Sequence, residues 1–412
     1  MKMETIIGLE IHVELDTKSK IFCDCPTNFG ASPNHHTCPV CMGLPGTLPV
    51  LNEAVVKMAI RAGLALGCRI QPVSKMDRKN YFYPDLPKAY QTSQYDLPIC
   101  LDGSVDIEVD GTRKNIRIHR IHIEEDAGKL IHDENEPISY IDYNRVGVPL
   151  IEIVSEADMR SPGEAVAFLR TVRSILQYAG VSDCRMEQGS LRCDGNISLR
   201  PYGQETLNSK VELKNINSFK ELQKALEKEE KRQEELYSFG EGHLVIQETR
   251  RWDAAKGKTI SMRTKEDAHD YRYFPEPDLQ PIVLKETEIE EARQSLPELP
   301  GKKAERFREM YGLTAKEVEI LTGNKALSQF YEETVKAGAE AKTAANWIVG
   351  DFLRCLKEQE MEPEEQALRP AQLADLIHLI DQGAISGTVG KEVFAAMFNT
   401  GRDPLDIVEE KG

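Results

Sequence analysis

Apolar and charged residues alternate between Ile6 and Leu15, near the amino terminus. Successive side chains of a strand point to opposite faces, so this alternation predicts a strand with one core face and one charged face. The charged face carries Glu10, His12 and Glu14, spaced roughly 7 Å from one residue to the next. Two carboxylates and an imidazole in a row are suited to a divalent cation or a phosphorylated ligand. A half-exposed strand with a solvated polar face is the plain alternative.

The two-faced pattern recurs further along the chain. Glu125 follows directly on the apolar row of Ile121 and Ile123, and Glu152 lies inside the apolar run 148–154. A buried, unpaired carboxylate is energetically costly, so Glu152 is expected to face a cation or a strong hydrogen-bond donor.

Three more alternating segments are predicted to be strands. They cover residues 191–200, 211–214 and 260–265. Arg192 and Asp194 lie on the polar face of the first segment, and Lys214 lies on that of the second. Acids that can bind metal and bases that can bind phosphate therefore recur on successive strands. This favours an open sheet whose concave face holds a nucleotide with its ions.

Three helices are predicted between these strands, each with a side chain that caps its start. The capping residues are Asn52, Ser161 and Ser218. Because several strands are separated by hairpin-length spacings, a mostly antiparallel sheet and an α+β fold are predicted for residues 1–290. Beyond about residue 287 the hydrophobic period is helical and the loops are short, which predicts an all-α domain at 291–412.

Four cysteines form a Cys-x-Cys and a Cys-x-x-Cys pair separated by twelve residues. They are Cys23, Cys25, Cys38 and Cys41. This spacing predicts a structural zinc site in an inserted loop at 22–45. Four sulfur ligands leave no open position on the ion, so the site is expected to fold the loop and to do no chemistry. His35 and His36 are alternative ligands, and four ordinary reduced cysteines are the plain alternative.

The segment 75–95 follows neither the helical nor the strand period. It combines several prolines with Arg78, Lys79 and clustered tyrosines. Basic side chains donate hydrogen bonds to phosphate, and aromatic faces stack on bases. The composition therefore indicates a nucleotide-binding loop, with a loop that packs its aromatic rings inward as the alternative.

Composition narrows the class of protein. A chain of 412 residues with 40% hydrophobic content predicts two folded domains, and a net charge of −16 argues against broad binding of nucleic acid. Any contact with RNA is expected to be local. No apolar run approaches the roughly 20 residues that a membrane span needs. Without a signal-peptide core, and with an odd number of cysteines, the sequence predicts a cytoplasmic protein with reduced thiols and no membrane association.

Five segments together resemble a known family. They are residues 8–15, 38–46, 78–88, 189–194 and 270–278. They are similar to the B subunits of tRNA-dependent aspartyl/glutamyl amidotransferases, and the similarity spans essentially the whole chain. Family members generally continue beyond the equivalent of Gly412, with a helical tail that helps to hold tRNA and is not part of this sequence.

The resemblance implies a heterotrimer. An amidase subunit would free ammonia from glutamine, a small subunit would brace the other two, and the B subunit would hold misacylated tRNA. The B subunit would use ATP to phosphorylate the side-chain carboxylate of Glu or Asp, and ammonia would then displace the phosphate. The activity would be that of a ligase that forms a carbon–nitrogen bond with glutamine as amide donor. The resemblance also implies a cradle domain similar in fold to glutamine synthetase and guanidino kinases.

The implied reaction brings two anions together, so bound magnesium and basic side chains must neutralise them. The predicted catalytic residues and magnesium ligands are Glu10, His12, Glu125 and Glu152, with Asp194 a weaker candidate. The predicted contacts to phosphate or carboxylate are Arg78, Lys79, Arg192 and Lys214. Imidazole is an unusual ligand for magnesium, so His12 alternatively takes manganese or donates a hydrogen bond to phosphate.

Two other functions are consistent with the sequence. One is a zinc-stabilised scaffold that binds tRNA while a partner does all the chemistry. The other is an ATP-dependent ligase or kinase that acts on a free amino acid. The strand carboxylates argue against the scaffold, because a surface that binds RNA has no reason to concentrate acids. The helical domain favours tRNA over a free amino acid.

Overall fold

The computed structural model describes residues 2–133, 136–264, 270–363 and 365–411. Two compact units divide the chain between Pro297 and Glu298, a few residues beyond the predicted boundary between 290 and 291. Among the described residues, no helix is long and apolar enough to cross a membrane.

The first unit contains the strands. They are β1 (Met3–Glu14), β2 (Arg69–Ile70), β3 (Val73–Ser74), β4 (Asp77–Asn80), β5 (Tyr90–Ser93), β6 (Cys100–Val109), β7 (Thr112–Glu125), β8 (Lys129–His132), β9 (Ser139–Asp142), β10 (Pro149–Ser155), β11 (Leu191–Pro201), β12 (Val211–Lys214), β13 (Glu248–Asp253), β14 (Lys258–Thr264), β15 (Phe274–Pro275) and β16 (Ile282–Val283). Its helices are α1 (Glu53–Ala65), α2 (Pro162–Tyr178), α3 (Phe219–Ser238) and α4 (Glu286–Gln294), with a 3₁₀ turn at Gly242–Leu244. Lys265, at the end of the predicted strand 260–265, lies outside the described residues.

A nine-stranded sheet dominates this unit, in the order β14-β13-β12-β11-β1-β10-β7-β6-β2. Its neighbouring strands are antiparallel except for the parallel pair β12 and β13. The mostly antiparallel α+β fold predicted from strand spacing is confirmed. Strand β1 lies in the middle, where His12 is opposite Arg192 of β11 on one side and Glu152 of β10 on the other.

The core lies on the apolar face of this sheet. Leu9, Ile11 and Val13 of β1 are at most 1% exposed, as the alternation predicts. Helices α1, α2 and α3 pack on strands β7, β6 and β11. Each begins at its predicted cap, and in α2 the Ser161 hydroxyl accepts a hydrogen bond from the Glu164 amide at 3.2 Å. With the helices on this face, the charged face of β1 is left for the site.

The segment 75–95 differs from the sequence prediction. It contains β4 and β5, which pair with β15 in a small three-stranded sheet. The prediction of an irregular segment was wrong at 77–80 and 90–93, because strands of four residues are too short to display a period. Between them, residues 81–89 follow an irregular course.

The second unit is helical. Its helices are α5 (Pro300–Tyr311), α6 (Ala315–Thr322), α7 (Lys325–Lys336), α8 (Ala341–Trp347), α9 (Leu353–Glu358), α10 (Pro370–Asp381), α11 (Gly387–Thr400) and α12 (Pro404–Lys411), with a π-helical turn at Ile348–Phe352 between α8 and α9. No strand occurs in its described residues, 298–363 and 365–411, as predicted. Residues 288–295, predicted to belong with these helices, belong instead to the first unit, where α4 packs on α1.

Candidate active site on the central sheet

The charged face of the central sheet brings together His12 of β1, Glu124 of β7 and Glu152 of β10. One ligand atom from each lies within 4.8 Å of the others, and we call this set the first acid cluster. His122, also on β7, contacts two of its members: its Nε2 atom is 3.1 Å from Glu152 Oε2 and 3.2 Å from Glu124 Oε1. Glu152 thus has the donor that its burial requires, as predicted.

Electrostatics hold the first acid cluster in its charged form. Burial disfavours charge on His122, yet Glu152 and Glu124 raise the pKa of His122 to about 9. Burial likewise opposes ionisation of Glu152, but the neighbouring His122 lowers the pKa of that carboxyl, and the same pair of effects lowers the pKa of Glu124. Two ionised carboxylates at neutral pH are therefore available as hard oxygen ligands.

Glu124 was missed by reasoning from the sequence, which chose its neighbour Glu125. Adjacent residues of a strand point to opposite faces, so only one of the two can share the face of His122. The choice followed the apolar row of Ile121 and Ile123, which belongs to the core face. The parity of His122 and Glu124 was the signal that could have identified the right carboxylate.

Glu125 has other partners. Its carboxylate pairs with the ammonium of Lys88 and accepts a hydrogen bond from the Thr92 amide at 2.8 Å. Lys88 and Glu125 line a cavity of about 250 Å³. Its walls also include Cys41, Gly46, Arg78, Tyr90 and Glu276. The structure therefore does not bring Glu125 together with the other predicted magnesium ligands, and the role predicted for Glu125 stays a prediction.

A second acid cluster lies beside the first on the same face. It consists of Glu10, Asp194 and Glu212, from β1, β11 and β12, again with ligand atoms within 4.8 Å of one another. Lys214 Nζ lies 2.6 Å from Asp194 Oδ2 and 2.9 Å from Glu212 Oε1. Burial and the carboxylates of Glu152 and Glu212 raise the pKa of Glu10. A cation bound beside Glu10 would relieve that repulsion.

Glu212 is the second residue that reasoning from the sequence missed. Alternation along β12 puts Glu212 and Lys214 on one face, but only the lysine was assigned a role. Gly195 lies opposite Leu213, and Asn196 lies opposite Glu212, which brings the β12 carboxylate toward Asp194 and Glu10. This register could not be obtained from the sequence alone.

The four predicted basic residues differ in their partners. Arg78 donates to both oxygens of Glu276 at 2.7 Å, and Arg192 donates to Asp126 Oδ2 at 2.6 Å. Lys79 has no carboxylate within ion-pair distance in the part of the chain that the structure describes. Burial opposes its charge, but the nearby carboxylates, Glu124 first, raise its pKa. Lys79 is therefore a cation that faces the first acid cluster and can accept an anionic ligand.

The four cysteines of the loop at 22–45 come together as predicted. One sulfur atom from each lies within 4.8 Å of the others. The Cys38 amide donates a hydrogen bond to the Cys41 sulfur at 3.1 Å, and Lys20 Nζ is 3.8 Å from that sulfur. A hydrogen bond from Cys23 lowers the pKa of Cys41 to about 5, whereas burial raises the pKa of Cys25 to about 11. The cluster can bind a structural metal, and four thiolate ligands fit zinc.

Comparison with known families adds to this geometry. The sequence profile of the GatB/GatE catalytic domain matches residues 5–290, and that of the GatB domain matches residues 329–412. The chain belongs to the GatB family. Both acid clusters and the cysteine cluster lie within the catalytic-domain match, so the GatB catalytic domain is the part of the chain that carries the site.

Curated GatB relatives are similar over the full chain, and each is named as the B subunit of an aspartyl/glutamyl-tRNA(Asn/Gln) amidotransferase. The chain is 61% identical over 412 residues to the relative from Clostridium beijerinckii. Identity to the relative from Clostridium acetobutylicum, the second of that name, is also 61% over 412 residues, and identity to the relative from Caldicellulosiruptor saccharolyticus is 56% over 415 residues. In each case 100% of this chain and 86% of the relative are covered.

Proposed function

We propose that this chain is the part of a tRNA-dependent amidotransferase that phosphorylates the side-chain carboxylate of Glu or Asp esterified to tRNA(Gln) or tRNA(Asn). A carboxylate oxygen attacks the γ-phosphorus of ATP, the bond to the bridging oxygen breaks, and ADP leaves. Ammonia then attacks the acyl carbon, phosphate leaves with the electrons of the carbon–oxygen bond, and loss of a proton gives the amide. The observation that carries this proposal is the pair of acid clusters on one sheet face of a GatB family member.

Charge on the sheet face supports phosphoryl transfer. The attacking carboxylate and the γ-phosphate repel each other, so cations must be in place where they meet. Lys79 is suited to that task because the described residues offer its ammonium no ion-pair partner. Arg192 is a second candidate: Asp126 orients its guanidinium, and 32% of its side chain is exposed. Arg78 and Lys214 are engaged by carboxylates and would orient those groups.

The donor sets of both acid clusters fit a divalent cation. Carboxylate oxygens are hard ligands, and ions between them would relieve the repulsion that raises the pKa of Glu10. Magnesium held there would neutralise phosphate oxygens during transfer. His12 makes the first cluster a fit for manganese as well. His122 fixes the carboxylates of that cluster from behind, as outer residues commonly do at metal sites.

The cysteine cluster has a different role in the proposal. Zinc held by four sulfurs has no open position, so it would stabilise the loop at 22–45 and take no part in transfer. The loop contributes Cys41 and Gly46 to the wall of the cavity that also contains Lys88 and Glu125. Folding of this loop would therefore shape one side of that cavity.

Ammonia and tRNA require partners. We propose an amidase subunit that frees ammonia from glutamine and a small subunit that holds the other two together, in a heterotrimer with misacylated tRNA as substrate. The relatives are named as one subunit of an amidotransferase, which supports a complex of several subunits. The antiparallel cradle further supports a likeness in fold to glutamine synthetase and guanidino kinases, which belongs to the same proposal.

ATP hydrolysis by the reconstituted complex tests the proposal. Glu-tRNA(Gln), uncharged tRNA and free glutamate are supplied in separate reactions, with glutamine omitted so that the activated substrate accumulates. We expect hydrolysis to be stimulated by charged tRNA alone. Equal rates with charged and uncharged tRNA would argue against activation of a tRNA-linked carboxylate, and stimulation by free glutamate would favour a ligase for the free amino acid.

A further inference from the structure

Four tyrosines form a contiguous cluster around the small sheet of the first unit. The rings of Tyr95 and Tyr273 are stacked, with centroids 4.4 Å apart and planes inclined by 10°. Tyr271 meets Tyr273 edge to face at 6.1 Å and meets Tyr81 edge to face at 5.9 Å. Tyr95, at the end of the row, is 53% exposed. One ring face of Tyr95 is therefore held by Tyr273, and a large part of the ring remains open to solvent.

The tyrosine cluster borders the candidate active site. Lys79 Nζ lies 5.0 Å from the centroid of Tyr271 and 6.0 Å from that of Tyr81. Burial and the carboxylates of Glu124 and Glu152 raise the pKa of Tyr273 to about 12, so the phenol feels the charge of the first acid cluster. The row of rings thus leads from Lys79 at the site to the exposed Tyr95.

Positive charge lies beside the exposed end. Arg120, on the central strand β7, donates a hydrogen bond to the backbone oxygen of Tyr95 at 3.1 Å. An exposed aromatic ring next to cationic side chains is the arrangement that binds unpaired nucleotides, because the ring stacks on the base and the cation attracts the phosphate. On a chain with a net charge of −16, such a local surface is where a nucleotide would be held.

We propose that the open face of Tyr95, supported from behind by Tyr273, is a stacking platform for an adenine base. The proposal rests on the proposed function, in which two substrates bring an adenine to this site. One is ATP, and the other is the terminal adenosine that carries the amino acid on tRNA. The chemistry is the same in both cases, namely a planar purine on an aromatic ring, and the experiment distinguishes the two sources.

The test compares Tyr95→Ala and Tyr95→Phe in the reconstituted complex. The control is Phe82→Ala, which removes a ring that is 91% exposed and that lies in the same segment outside the tyrosine cluster. Equilibrium affinity for ATP and for Glu-tRNA(Gln) is measured separately, together with kcat and KM for each. Thermal unfolding of each variant checks that folding is retained.

Loss of one stacked base is expected to weaken affinity by roughly tenfold or more. Tyr95→Ala should produce this loss for one ligand, which identifies the source of the adenine, while Tyr95→Phe and Phe82→Ala should match the wild type. Affinity for both ligands unchanged in Tyr95→Ala would overturn the platform. A loss that Tyr95→Phe fails to restore would also overturn it, because the effect would then depend on the hydroxyl.

Failure of the platform is distinguishable from failure of the proposed function. The wild-type complex serves as the reference, since its ATP hydrolysis with charged tRNA tests the function without any substitution. A wild type that responds to charged tRNA, combined with a Tyr95→Ala complex that binds both ligands normally, removes the platform alone. A wild type that does not respond removes the function, and the platform with it.

Discussion

His122 Nε2 lies 3.1 Å from Oε2 of Glu152, across the register that pairs β7 with β10. The same nitrogen is 3.2 Å from Glu124, so one imidazole orients both carboxylates of the first acid cluster. Its Nδ1 atom is buried and has no hydrogen-bond partner among the described residues. The ring therefore directs its hydrogen bonding to the cluster, which is how an outer residue prepares carboxylates for a cation.

Glu124→Gln tests this cluster. The substitution keeps the shape of the side chain but removes one anionic ligand, so phosphorylation of the charged tRNA should fall by orders of magnitude. Formation of ADP with Glu-tRNA(Gln) is the measurement. The matched control is Glu108→Gln, an exposed glutamate on β6 of the same sheet, which should retain the wild-type rate. Near wild-type activity in Glu124→Gln would exclude Glu124 from the mechanism.

Glu10→Ala tests the second acid cluster. Phosphorylation should be abolished, while binding of the charged tRNA should be nearly unchanged, because an acidic side chain adds nothing favourable to RNA affinity. Glu212→Gln should show the same separation between rate and binding. The scaffold hypothesis expects the reverse, with transamidation intact or tRNA binding lost. A Glu10→Ala complex that makes Gln-tRNA(Gln) at a near wild-type rate would contradict the assignment.

Local rules predicted much of the fold. Alternation in β1 identified its buried face, and Ser161 and Ser218 marked the first turns of α2 and α3, because parity and capping depend only on neighbours in sequence. The same rules failed at β4 and β5, whose four residues each are stabilised by pairing with each other and with β15. Strands that short depend on tertiary contacts, which no local pattern records.

The site was harder to predict because its residues come from different strands. Asp194 and Glu10 were recognised as acids on polar faces, but their contact with Glu212 follows from the register of β11 with β12. Glu125 was chosen over Glu124 because an apolar row attracted the assignment. The cysteines were predictable as a set, since Cys23 to Cys41 lie in one loop and their spacing alone limits how they can meet.

Cys38→Ser tests the metal at the cysteine cluster. Loss of one of four sulfur ligands should release zinc, loosen residues 22–45 and lower the thermal stability of the first unit, because binding of a structural metal contributes to folding. Metal analysis and protection of this loop from proteolysis are the measurements. Cys355→Ser, in a helix of the second unit, should keep the metal. A wild-type chain without zinc would refute the prediction.

The chain on its own should not hydrolyse glutamine. A thiol nucleophile needs a lowered pKa, whereas burial raises the pKa of Cys68 and Cys184 to about 12 and raises that of Cys193 well above its usual value. The Ser218 hydroxyl is engaged as a helix cap. Release of ammonia from glutamine by a preparation free of any amidase is the measurement, and the expected result is none above the buffer blank.

The helical unit should lose stability in acid through Glu317. Its carboxylate accepts a hydrogen bond from the Thr314 amide at 2.8 Å and pairs with Lys342 Nζ at 2.6 Å. The hydrogen bond from Lys342, then those from Thr314, lower the pKa of Glu317 to about 2, below the usual 4.5. Since the folded state binds the proton less readily than the unfolded state, the stabilisation is complete above pH 4.5 and is lost as the pH falls toward 2.

Glu317→Gln therefore separates from the wild type only where the carboxylate is charged. At pH 6 the variant should be less stable by about 1 kcal/mol or less, the usual scale for a capping box with an ion pair at the surface. At pH 3 the difference should shrink, because protonation removes part of the same interaction from the wild type. Urea unfolding followed by Trp347 fluorescence in a Trp252→Phe background reports on this unit. Glu319→Gln, an exposed position on the same helix, should show no such dependence on pH, and an equal loss at both pH values for Glu317→Gln would show that the carboxylate charge is not what stabilises this turn.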